Sequence, residues 1–130
     1  AGTTTMPVNT QPTITDGTQF MTLALTPFAA CNKISVNAQM LLAIASVTQL
    51  GTGALYRDAV TNCLAVSTFY CAGSNNTDGQ LNFEHELIAG DVSAITFRLR
   101  GGASSGNCTF NNRFGSTVSN SWMTVEEVMT

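Results

Sequence analysis

Hydrophobic and polar positions alternate with a period of two along most of this chain. The clearest run is residues 33–46. Ile34, Val36, Ala38, Met40, Leu42 and Ile44 hold one face, while Ser35, Asn37 and Gln39 hold the other. That is the pattern of a strand with one buried face. Beyond Gln39 the second face turns apolar at Leu41 and Ala43, which predicts cover on both sides there. Shorter segments with strand character are 19–25, 54–57, 63–70, 80–88, 93–100, 107–111 and 121–128. In the first of these Met21, Leu23 and Leu25 share a face, and Thr26-Pro27 ends it. Turn chemistry separates the segments. Residues 51–53 read as a turn, 58–62 as a loop, 73–79 as the strongest loop signal, 101–106 as a flexible turn and 115–120 as a loop. Residues 89–92 read as the closure of a hairpin, and a turn centred on Gly90 and Asp91 sets Glu84 opposite Arg98.

Eight or so short strands in 130 residues, with no amphipathic helix, predict an all-β, single-domain jelly-roll β-sandwich. Residues 1–18 show no period, and their Pro7 and Pro12 favour extended backbone. The expected organisation is therefore an extended N-terminal arm, 1–18, and a head domain, 19–130.

Composition narrows the function. Charged residues are only 10% of the chain and the net charge is −3, against about 25% charged in an average soluble domain. Lys33, Arg57, Arg98, Arg100 and Arg113 are scattered, so no basic stripe exists for nucleic acid. No apolar run approaches the roughly 20 residues of a membrane helix, and the N-terminus lacks the basic and apolar regions of a signal peptide. Neither nucleic-acid binding nor membrane insertion is expected. Cys31, Cys63, Cys71 and Cys108 are widely spaced without a C-x-x-C pair, which argues against a zinc or thioredoxin-like site. Two disulfides or four packed thiols both fit.

Catalytic signals are weak. The close carboxylate pairs are Glu84 with Glu86 and Glu126 with Glu127, and any strand with two glutamates resembles the first. No Gly-x-Ser-x-Gly elbow surrounds a serine. The glycine-rich 101–106 segment lacks the Lys and helix of a phosphate loop. Neither an enzyme nor a cofactor is expected. Asn75-Asn76-Thr77 and Asn107-Cys108-Thr109 fit the glycan acceptor pattern, which matters only for a protein secreted from a eukaryote.

The stretches QFMTLALTPFAACNKISVNAQM, ALYRDAVTNCLA, LNFEHELIAGDVSAITFRLRGGASSGNCTFNN and SWMTVEEV, in that order, resemble the head domains of bacteriophage tail fibres and spikes. These heads are similar to the trimeric jelly rolls of complement-type and tumour-necrosis-factor-like proteins. The resemblance runs from about Pro12 to Met129 and rests on Lys33-Ile34, on Leu55-Tyr56-Arg57-Asp58 followed by Ala65, on Ala89-Gly90-Asp91 leading into Thr96 to Arg100, and on Val125 to Val128. It implies a homotrimer on a virion, in contact with other virion proteins, that attaches to a bacterial surface polysaccharide or protein. Two alternatives share the fold: a trimeric capsid decoration or vertex protein, and a secreted lectin-like ligand.

Receptor contacts are then expected from loops and strand ends: Asn75, Asn76 and Asp78; Asn111, Asn112, Arg113 and Phe114; and the aromatic Tyr70 and Trp122. Aromatic faces cover the C–H face of a sugar, while amides and carboxylates take its hydroxyls. Trp122 alternates out of phase with Met123 and Val125. The trimer interface is expected at Leu41 and Ala43. His85, the single histidine, is read as a packed residue; in a trimer three copies on the threefold axis could instead meet a metal or an anion.

Overall fold

The computed structural model describes residues 4–44, 49–72, 77–111 and 120–130. They form β1 (Thr18–Leu25), β2 (Lys33–Ile44), β3 (Gln49–Arg57), β4 (Ala65–Cys71), β5 (Thr77–Ile88), β6 (Ile95–Ala103), β7 (Cys108–Phe110) and β8 (Trp122–Val128). There is no helix among the described residues.

Three antiparallel pairs are nested: β1 with β6, β2 with β5, and β3 with β4. A long hairpin with its tip between β3 and β4 has been rolled up, which is jelly-roll winding. Pairing of β6 with β3 completes a sheet of order β1-β6-β3-β4. In the second sheet β5 lies on one side of β2. The other side is shared, with β8 opposite residues 33–39 and β7 opposite residues 42–44. The fold is thus the expected all-β sandwich.

The core forms between the sheets. Ile34, Val36, Ala38, Met40, Leu42 and Ile44 are all buried, as their alternation predicts, and they meet Leu55, Ile95, Phe97 and Leu99 from the first sheet and Leu81 and Phe83 from β5. Expected turns at 51–53 and 101–106 prove to be strand in large part. Gly51 and Gly53 lie inside β3, and β6 continues through Gly101 to Ala103. The reason is close packing. Gly53 and Gly101 are cross-strand partners, and Met40 covers both: a Cβ at Gly53 would sit 2.7 Å from Met40 Cε, and one at Gly101 would sit 2.7 Å from Met40 Sδ. Glycine in a strand here marks a close approach, not a bend. Likewise Thr77, Asp78 and Gly79, expected in a loop, open β5.

The expected β5–β6 hairpin does not form. β5 and β6 belong to different sheets, so Glu84 faces Asn37, not Arg98. Arg98 lies opposite Thr22 and Tyr56, and its guanidinium donates to the Asp58 carbonyl. The link after Ile88 crosses between sheets. It is held by Ala89 N–H donating to Asn32 O (3.0 Å), Gly90 N–H to Ala30 O (2.9 Å) and Arg57 Nη2 to Ala89 O (3.3 Å). Gly90 takes φ of 85° in this crossing, a conformation glycine adopts freely.

The N-terminal segment covers the outer face of its own first sheet. Met6 packs with Ala54 and Tyr56, and its N–H donates to Ala103 O at 3.0 Å. The Tyr56 hydroxyl donates to Thr13 O (2.7 Å), and burial raises its pKa above the ordinary tyrosine value. Arg100 donates to the carbonyls of Asp16 (2.8 Å) and Gly17 (2.7 Å). This cover explains why both faces of β3 are buried between Gly51 and Tyr56.

Candidate functional site

The second sheet turns a polar face to solvent, built from the alternate positions that the core leaves over. Its cross-strand rows read Trp122–Gln39–Asn82, then Thr124–Asn37–Glu84, then Glu126–Ser35–Glu86, then Val128–Lys33–Ile88, from β8 through β2 to β5. Successive rows lie about 7 Å apart and adjacent strands about 4.8 Å. Trp122, 44% exposed, stands at one margin of this face. A shallow depression of about 350 Å³ beside it is lined by Asn37, Ala38, Asn82, Phe83, Glu84 and Trp122.

The amides of this face hold one another in place. Gln80 Nε2 donates to Gln39 Oε1 (3.0 Å) and to Asn82 Oδ1 (3.2 Å). Gln39 Nε2 donates to Asn120 O at 3.2 Å, and Asn37 Nδ2 to Ser35 Oγ at 3.4 Å. One exposed ion pair, Lys33 with Glu86 at 3.8 Å, lies at the far end and adds little stability. The arrangement offers a flat ring, amide donors and acceptors, and the Glu84 carboxylate. It can accept a flat polar ligand with an apolar face. Among the described residues no group of three His, Cys, Asp or Glu is placed to hold a metal.

The end of Trp122's strand is fixed by two devices. At its start, Asn111 takes a left-handed conformation, φ 53°, and its Oδ1 accepts from Ser121 N (2.9 Å) and Ser121 Oγ (2.6 Å). Leu41 N–H in turn donates to Ser121 Oγ at 2.9 Å. At its finish, the Glu127 carboxylate accepts from Phe28 N (2.8 Å), Ala29 N (3.2 Å) and Asn32 Nδ2 (2.7 Å). The Phe28 backbone bond, then the Asn32 amide, hold the Glu127 carboxyl below its ordinary pKa.

No family model and no curated protein matches the chain. Among solved structures it is similar to the VP2 subviral particle of infectious bursal disease virus, at 10% identity and TM-score 0.39, over 98% of this chain and 34% of that one. It is similar also to a structure of the Gx strain of that virus, at 11% identity and TM-score 0.38, over 100% of this chain and 36% of that one. A T13 particle of the same virus gives 10% identity and TM-score 0.34, over 98% and 34%. The chain spans about a third of the length of those chains.

The residues singled out in the sequence do not form one site. Trp122 lies on the amide-lined face, with its phase relative to Met123 and Val125 as read. Asp78 lies further along β5, opposite Ala43. Tyr70 is 58% exposed on the outer face of the other sheet, in β4. Asn111 is engaged as the clamp on Ser121. Asn75, Asn76, Asn112, Arg113 and Phe114 lie outside the described residues. Leu41 and Ala43 are half-buried on the same outer face as Trp122, and His85 is half-buried on the inner face between Phe83 and Leu87. Of the cysteines, Cys31 is exposed, Cys63 half-buried, and Cys71 and Cys108 are in the core. Sequence reasoning passed over Asn37, Gln39, Gln80 and Asn82. Their alternation was visible, but not that β8, β2 and β5 are neighbours.

Proposed function

We propose that the chain is a virion-surface attachment domain, a tail-fibre or spike head, which binds a bacterial surface polysaccharide through the Trp122 face. It acts by binding, without catalysis. The observation that carries this reading is the half-exposed Trp122 ring on a face of amides that hold one another in place. Such a face meets both sides of a sugar's chemistry, the C–H surface and the hydroxyls. Assembly as a homotrimer would give three such faces and raise the avidity of weak single sites.

Trp122 is the single tryptophan, so its fluorescence reports this face alone. The protein is titrated with purified lipopolysaccharides and capsular polysaccharides from a panel of bacterial strains. A saturable shift with one of them is expected; by calorimetry, which does not need the tryptophan reporter, Trp122→Ala should weaken binding of the same polysaccharide by about tenfold or more, while Val60→Ala, at an exposed position on the β3–β4 connection, leaves it unchanged. Labelled protein that stains no strain, with no fluorescence change in the panel, overturns the proposal. A second reading, a capsid decoration protein, is favoured by exposed apolar side chains gathered at one end of the sandwich: Phe28 (87% exposed), Ile88, Val92, Val128 and Met129 (83%). Binding to expanded capsids and not to cells would select it.

A further inference from the structure

The strand β4 is the edge of the first sheet, and among the described residues the backbone of 66–70 bonds to β3 alone. Alternate residues along it turn their N–H and C=O groups outward. The other edges carry protection of the usual kinds. β5 bears Asp78, Glu84 and Glu86; β8 bears Glu126 and Glu127; β7 has only 3 residues; β1 is bulged between Gln19 and Met21. β4 reads AVSTFYC, with no charge, proline or glycine, and it exposes Val66 (52%) and Tyr70 (58%).

We propose that β4 pairs antiparallel with β4 of a second copy, about a twofold axis at Thr68. The strand is complementary to itself in that register. Thr68 meets Thr68 of the second copy. Val66 meets Tyr70 of the second copy, and by symmetry Tyr70 meets Val66. Both are pair types that stabilise neighbouring strands, β-branched with aromatic and Thr with Thr. All lie on the outer face, where each of Val66, Thr68 and Tyr70 is exposed. A cleft of about 460 Å³ borders Val66 and Thr68, between the β3–β4 surface and Pro7, Val8 and Pro12. The Tyr70 ring of the second copy, delivered beside Val66, enters that cleft. The two four-stranded sheets then become one continuous sheet. A second copy is the occupant that fits because the same patch supplies both the free backbone groups and the matching side chains.

The pairing is independent of the sugar-binding face and of any threefold contact at Leu41. Light scattering of the full chain at fixed concentration is expected to give a species of even copy number, a dimer or, with the threefold, a hexamer. Thr68→Lys places like charges directly opposite and should weaken the twofold association by about tenfold or more, with the far-UV circular dichroism unchanged. In a Cys31→Ser/Cys63→Ser background, Thr68→Cys should cross-link to itself under mild oxidation, since directly opposed residues lie about 4.5–5.5 Å apart. Thr124→Cys, on the other sheet, should not. A monomer or a lone trimer that Thr68→Lys leaves unchanged, or equal cross-linking at both positions, overturns the proposal. Leu41→Glu tests the trimer separately.

Discussion

Phe69 of β4 lies against two glycines, one from each sheet, and this contact makes a sharp test of the packing. A Cβ added at Gly51 would stand 2.3 Å from Phe69 Cε1, and one at Gly79 would stand 2.2 Å from Phe69 Cδ1. Both are far inside contact distance, so Gly51→Ala must displace the ring or the strand. Overpacking of this kind costs about 1–3 kcal/mol. Against it stands about 0.4–1 kcal/mol gained from restricting the unfolded chain, because Gly51 does not take a positive φ. The net expectation is a loss of about 1–2 kcal/mol. Phe69→Ala alone should cost about 3 kcal/mol, the low end for a phenylalanine because the ring is half-buried. In that background the remaining close neighbour of a Cβ at Gly51 is Ile44 Cδ1 at 2.9 Å, the far end of a side chain that can turn into the space left by the ring, and Gly51→Ala should now stabilise slightly, by less than about 1 kcal/mol. The sign of one substitution thus inverts with its neighbour, a coupling of about 2 kcal/mol. Urea titrations of the four variants, at one protein concentration and with equal m-values, measure it. Thermal midpoints should move by about 4 °C per kcal/mol. If Gly51→Ala destabilises equally with and without the Phe69 ring, the steric account of this glycine is wrong.

Three further outcomes follow from the polar clamps. Glu127 has its folded pKa depressed, so its contribution is present above the unfolded carboxylate pKa and fades as pH falls through the folded value; the gap in urea midpoint between wild type and Glu127→Gln should be wide near neutrality and close in acid, and a gap independent of pH would count against the clamp. Tyr56→Phe removes the donor to Thr13 O and should cost about 1 kcal/mol while speeding limited proteolysis within residues 4–17; unchanged cleavage there would show that the tie does not hold the segment. Asp58 takes φ of 51° and accepts from Thr96 N at 2.8 Å, so Asp58→Ala should cost about 1–3 kcal/mol from the lost acceptor and the left-handed backbone, with Asp58→Asn milder because asparagine tolerates that conformation; equal losses in thermal melts would remove the backbone term.

Much of the fold was legible where one face of a strand is buried and the other is wet. The alternation of β2 gave its six core residues, and the phase of β8 put Trp122 outside and Met123 and Val125 inside. Glycine was less readable. Gly51, Gly53, Gly101 and Gly79 looked like turn residues, because a sequence does not show the Met40 and Phe69 side chains that need the room. The β5–β6 link looked like a hairpin closure, because a short connection between strands usually joins neighbours. Here it passes between sheets and is fastened to the β1–β2 connection through Asn32 and Ala30.

By itself the sequence determined that the chain is all-β, which positions face the core and which face water, and that charge is sparse along it. Those properties are local, set by side-chain period and by composition. Only the tertiary structure decided which strands lie side by side. That choice brings Trp122, Gln39 and Asn82 into one row from three distant segments, lays the N-terminal segment over Tyr56, and leaves β4 as an uncharged edge. Period fixes a residue's face, but partner choice is settled by how the rolled hairpin packs its bulkiest side chains against backbone that has none.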